Sequence, residues 1–132
     1  MPLVELDIEE HFVIEIMRNY RFLYEYDYNI NSVLVHFREF GVTYRSDKAK
    51  REIQLYWWLP EYFFCAIVNN KYIWKKIMIR DLYKYFHCEY LDVKINPNNY
   101  SEFIKNNAEF AKSNLLPLLK GEEWIRSLSS RY

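Results

Sequence analysis

Between Phe12 and Tyr24 the apolar side chains recur every three or four positions: Phe12, Val13, Ile16, Met17, Tyr20, Leu23 and Tyr24. That spacing keeps them on one face of a helix. Asp7 and Glu10 in front of them have the form of a capping box, with Asp in place of Ser or Thr. Acids come early in the segment and Arg18 and Arg21 later, the order that the helix dipole favours. The pattern predicts a helix over 8–26, broken by Asp27-Tyr28-Asn29.

Residues 31–41 carry two patterns at once. Val33, Val35 and Phe37 alternate as in a strand. Val33/Phe37 and Phe37/Phe40 also keep helical steps, Asn31 or Ser32 suits an N-cap, and Gly41 suits the position past a helix end. We read a short helix over 32–40, with a strand as the rival.

From Val42 the period is two. Val42 and Tyr44 alternate with Thr43 and Arg45. After the polar turn 46–50, Ile53, Leu55 and Trp57 alternate with Glu52, Gln54 and Tyr56. The pair reads as a hairpin with one face turned inward, and Pro60 ends its second strand. Residues 61–69 are β-branched and aromatic around Tyr62 to Val68, which predicts a buried strand. A helix is the rival there, since Phe63/Ile67 and Phe64/Val68 are four apart. Asn69-Asn70 then turns the chain into a strand over 72–79.

Asp81 suits the cap of a helix through Leu82, Tyr83, Tyr85, Phe86 and Cys88. Leu91 to Ile95 alternates like a short edge strand, and Asn96-Pro97-Asn98-Asn99 is a turn. Phe103, Ile104, Ala108, Ala111 and Leu115 form the stripe of a helix over 100–116, which Pro117 kinks or ends. Trp124, Ile125 and Leu128 make a last amphipathic turn. The whole predicts an α+β fold: an antiparallel sheet of three or four strands over about 42–79, flanked by N-terminal and C-terminal helices.

Composition adds size and partners. A chain of 132 residues, 51% hydrophobic, with no repeat, is expected to be one domain, 1–132. The longest uninterrupted apolar run, Tyr62 to Val68, is far short of a membrane span. The early acids do not suit a signal peptide, and two cysteines, Cys65 and Cys88, suit free thiols. A cytoplasmic protein with no membrane contact is expected.

The formal net charge is zero, yet the charges segregate. Residues 1–31 hold seven acids (Glu5, Asp7, Glu9, Glu10, Glu15, Glu25, Asp27) against Arg18 and Arg21. Residues 45–84 hold nine bases (Arg45, Lys48, Lys50, Arg51, Lys71, Lys75, Lys76, Arg80, Lys84) against four acids (Asp47, Glu52, Glu61, Asp81).

Two isolated glycines, Gly41 and Gly121, leave no phosphate-cradling loop and no dinucleotide fingerprint; no cofactor is expected. The metal candidates are His87-Cys88-Glu89, His11 with Glu15 one turn on, and a lone His36; adjacent helix residues point apart and the others need ligands from elsewhere, so no metal site is expected. Cys65 lies in an apolar run where a thiol is inert filling. Cys88 beside His87 resembles a nucleophile and its base only in sequence. No catalytic residue is assigned, and a small enzyme with a His/Cys/Tyr pocket stands third among the readings.

What remains is an excess of rings: 13 Tyr, 9 Phe and 4 Trp, 20% of the chain. In a strand, Trp57 and Trp58 must face opposite sides of the sheet, and Trp and Tyr dominate binding hot spots. The first reading is therefore a non-enzymatic protein-binding module. Its contacts would be Tyr56, Trp57, Trp58 and Trp74 with a charged rim, or the acids Glu9, Glu10 and Glu15 against a basic partner. The partner would be another protein or a second copy of the chain. In type, such a small, motif-free, aromatic-rich chain resembles dedicated binding proteins such as toxin-immunity proteins and other inhibitors, a comparison that no residue motif carries. The second reading is RNA or single-stranded DNA binding, with Arg45, Lys48, Lys50, Arg51, Lys75 and Lys76 on phosphates and neighbouring rings on bases. An isoelectric point near 6.8 opposes it.

Overall fold

In the computed structural model, which describes residues 7–36, 38–60, 62–71, 75–88 and 94–131, the first helical period forms α1, Ile8–Asn19. It buries Phe12, Val13 and Ile16. Asp7 occupies the N-cap position with extended backbone, but its side chain makes no capping hydrogen bond. The predicted helix over 8–26 is two pieces. α1 stops at Tyr20, and a 3-10 turn, Arg21–Tyr26, follows. The chain must reverse into the sheet at once, and Asp27 makes that reversal in the left-handed region, φ 66°, which Asp tolerates better than most residues.

Six strands follow as an antiparallel meander in the order β1-β2-β3-β4-β5-β6. They are β1 (Asn29–His36), β2 (Glu39–Ser46), β3 (Arg51–Trp58), β4 (Tyr62–Asn69), β5 (Lys75–Met78) and the two-residue β6 (Ser130–Arg131). The α+β class is as predicted, and so are the 42–57 hairpin and the strand over the described part of 61–69. The sheet is larger than the three or four strands expected and begins at Asn29 rather than near Val42.

The short helix over 32–40 is corrected: residues 32–36 belong to β1, Arg38 is in a turn, and Glu39 and Phe40 open β2, while Phe37 lies outside the described residues. Gly41 ends no helix. It sits inside β2, where a Cβ would come within 2.1 Å of the Leu55 carbonyl oxygen and 2.7 Å of Tyr56 Cα, a close strand approach that only glycine permits. Of the strand predicted over 72–79, Lys75–Met78 form β5, Tyr72 to Trp74 lie outside the described residues, and Ile79 starts α2 (Ile79–Tyr85). Asp81 lies in the first turn of α2, not at its cap, which is Met78. Of the edge strand over 91–95, residues 91–93 lie outside the described residues, and Lys94 and Ile95 are not in a strand.

The second long helix, α3, spans Tyr100–Asn114. Pro117 falls in the first turn of α4 (Leu116–Leu119), where its missing N–H costs nothing. Contacts from the helices reach one face of the sheet. Phe12 packs on Phe40, Trp57 and Phe63, Tyr100 on Trp57, and Phe103 on Phe63. Cross-strand partners share a face, so Phe40, Val42 and Tyr44 of β2 line up with Trp57, Leu55 and Ile53 of β3 and with Phe63, Cys65 and Ile67 of β4. All are buried. Each such large side chain contributes roughly 1.5–3 kcal/mol on burial.

Candidate functional site

The period of two places the adjacent tryptophans on opposite faces. Trp57 points among the helices and is 1% exposed. Its Nε1 donates to the Pro60 carbonyl at 3.2 Å. That places Trp57 in the core, not on a contact surface. Trp58 points the other way and is 38% exposed. It stacks on Phe64 of β4, with centroids 4.8 Å apart and planes 13° from parallel. It also lies 5.5 Å from the Tyr62 ring, and its Nε1 donates to Glu39 Oε1 at 2.8 Å. Trp74 lies outside the described residues.

The rest of this outer face is polar and aromatic. Tyr56 shares a 2.5 Å hydrogen bond with Thr43 Oγ1, which lays its ring along the sheet. The Lys76 ammonium lies 5.9 Å from the Phe64 ring centre, a cation–π distance. Glu39, Gln54, Tyr56, Trp58, Phe64 and Lys76 line an open groove of about 400 Å³. Its two ends differ in charge, with the Glu39 carboxylate held by the indole and Lys76 across the sheet.

Sequence reasoning found Tyr56 and Trp58 but missed Glu39, Tyr62, Phe64 and Gln54 as members of one surface. The missing signal was register. Trp58 pairs with Tyr62 and Tyr56 with Phe64, so the alternation of β3 and β4 assembles the four rings on one face once the strands are known to pair.

The acids of α1 lie on the helical side of the molecule, not on this face. Glu15 is mostly buried and pairs with Arg18 at 3.2 Å; Glu9 is half-buried and Glu10 exposed. The bases do not form one free patch either. Arg45 pairs with Asp47 at 3.0 Å and with Glu52 at 3.8 Å, and Lys48 with Asp27 at 3.4 Å. Lys50 is exposed, with φ 58°, and Lys75 is half-buried beside β6. Arg51 is 3% exposed. Its guanidinium donates to the carbonyls of Leu118 at 3.1 Å and Glu123 at 3.1 Å and to Asn69 Oδ1 at 3.0 Å, and it lies 5.0 Å from the Trp124 ring. It is a structural clamp between the hairpin and the C-terminal segment.

The remaining chemical groups are mostly engaged inside the fold. His11 Nδ1 is hydrogen-bonded to the Tyr100 hydroxyl. Burial pushes the Cys65 thiol up to about 12, against a smaller lowering from its Asn107 hydrogen bond, so it is a poor nucleophile at neutral pH. Cys88 is half-buried and donates weakly to the Phe86 carbonyl at 3.6 Å. His87 is exposed, in the left-handed region past the end of α2. Among the described residues, no three His, Cys, Asp or Glu side chains converge as a metal site would require, and no helix is long and apolar enough to cross a membrane.

No family model matches the chain, and no curated protein or solved structure is significantly similar to it.

Proposed function

We propose that the protein is a non-enzymatic binding module that engages another protein through the outer face of its sheet. One observation carries the reading: Trp58, Tyr62 and Phe64 form a contiguous, partly exposed aromatic cluster on the face opposite the one that α1 and α3 cover. Rings presented this way offer a large contact area at small entropic cost, and Trp and Tyr lead among residues that dominate binding energy. Glu39 and Lys76 at the margins of the groove supply the polar rim that fixes orientation. The partner that fits is a protein surface with an apolar prominence flanked by one acid and one base. An inhibitor or immunity-type role belongs to this class of activity.

Arg51 is buried and Arg45 and Lys48 are ion-paired, which engages three of the six bases on which the nucleic-acid reading stood. The test compares the wild-type chain with a Trp58→Ala/Tyr62→Ala variant as bait in the native cells, by quantitative mass spectrometry. Proteins captured by the wild type and lost with the variant, at unchanged circular dichroism, support the reading. Equal capture by both baits overturns it.

A further inference from the structure

We propose that the chain also self-associates through β1, two copies pairing this strand antiparallel about a two-fold axis so that their sheets become continuous. The surface is distinct from the Trp58 groove.

Among the described residues β1 is the edge of the sheet, bonded to β2 alone. Edge strands in stable monomers are blunted by charge, proline or brevity. The opposite edge is blunted in this way, since β6 has two residues. β1 has eight, and Asn29–His36 contains no Lys, Arg, Asp, Glu or Pro. Its pairing with β2 slips once, between Ile30 and Ser32, and is regular from there to His36. Val33 is 45% exposed, Leu34 37% and Val35 51%. Val33 and Val35 pair with Val42 and Phe40 and so face the helical side, whereas Leu34 pairs with Gly41 and faces the other. The open edge is thus apolar on both faces.

A second copy fits better than an arbitrary strand because of α1. Glu10, Ile14 and Met17 of α1 are exposed, and their steps of four and three put them on one stripe; Arg21 and Tyr24 are exposed in the 3-10 turn that continues from the helix end. The stripe lies on the flank away from α3, which α1 meets through His11 against Tyr100 and the following turn through Phe22 under Lys112. It is acidic at one end, basic at the other and apolar between. Roughly 14 Å of helix separate Glu10 from the last residue of α1, Asn19, and Arg21 lies beyond that end; the two are too far apart to pair within one chain, and neither has an ion-pair partner among the described residues. A two-fold perpendicular to the sheet keeps both α1 helices on the same side and runs them antiparallel. Glu10 then faces Arg21 of the second copy, Ile14 faces Met17, and Val33 and Val35 of both copies form the floor between. The same contacts are made twice, as an isologous interface requires.

Sedimentation velocity over a wide concentration range tests the proposal. The expected species is a dimer of twice 16.4 kDa. Val33→Lys/Val35→Lys should convert it to monomer with circular dichroism unchanged. Glu10→Arg and Arg21→Glu should each raise the dimer dissociation constant about tenfold, and the double charge swap should restore it. These two positions are exposed, so the swap remains informative if the lysine variant misfolds. A monomer at every concentration, a dimer indifferent to both sets of substitutions, or a dimer lost only with Trp58→Ala overturns the proposal.

Discussion

Asn107 Nδ2 donates to the Tyr20 hydroxyl across 2.5 Å in the middle of the core, tying α3 to the end of α1. The same amide reaches Cys65 Sγ at 3.7 Å, and its oxygen accepts from the Tyr83 hydroxyl at 3.2 Å. Four elements therefore meet at one polar side chain that is 2% exposed. Asn107→Leu leaves the Tyr20 hydroxyl buried without its donor, at a cost of about 1–3 kcal/mol. Urea denaturation should show a lower midpoint at unchanged slope. Tyr20→Phe in the same background should recover part of the loss, because removing both partners is cheaper than orphaning one.

Burial also raises the acid groups around that point. Cys65 moves from 9.0 to about 12, and the hydroxyls of Tyr20 and Tyr44 are raised, in both cases chiefly by desolvation. A raised folded pKa means that the unfolded chain loses the proton first. The contribution to stability is whole below pH 9.0 and is lost as pH rises from there towards 12. The denaturation midpoint should be flat from neutral to about pH 8 and fall steeply by about pH 11. Cys65→Ala should make the fall shallower, and a maleimide should label Cys88 long before Cys65.

The hairpin, α3 and the first helix as far as Asn19 were legible because their periods are clean; the strand around Tyr62 to Val68 was legible from its β-branched and aromatic residues, since its spacing also allowed a helix. β1 was not. Its alternation was matched by helical steps at Val33/Phe37 and Phe37/Phe40, and Gly41 imitates a helix stop although its role is to let β3 approach. The surface was half legible. Alternation demanded that one of the two tryptophans face outward, but only strand register tells which, and only register adds Tyr62, Phe64 and Glu39 to it. Arg51 misled for another reason: a base next to a polar turn looks solvated, and the carbonyls that hold it, from Leu118 and Glu123, are distant in sequence.

Arg51 should therefore behave as a core residue. Arg51→Met removes the donor from the buried carbonyl of Leu118 and from that of Glu123, and the expected loss is about 3 kcal/mol, in the range for hydrogen bonds to charged groups. Arg51→Lys should rescue little, because an ammonium cannot reproduce the planar fork. Hydrogen exchange should quicken first over residues 115–131, the segment this side chain clamps to the hairpin. Nucleic-acid affinity should not respond to either substitution.

Trp57 and Trp58 give the sharpest contrast, since two chain neighbours of the same type lie in opposite environments. Trp57→Ala empties a site walled by Phe12, Phe40 and Tyr100, and the expected destabilisation is about 3–5 kcal/mol. Trp58→Ala loses the stack on Phe64 and the bond to Glu39 on an open face. It should cost about 1 kcal/mol and leave the circular dichroism spectrum as it was. Capture of a partner should respond in the reverse sense. Trp58→Ala should abolish it in a folded protein, and Trp57→Ala should reduce it only in proportion to the unfolded fraction. A Trp58→Ala protein that unfolds as readily as Trp57→Ala would place the second indole in the core as well and remove the aromatic face on which the binding reading rests.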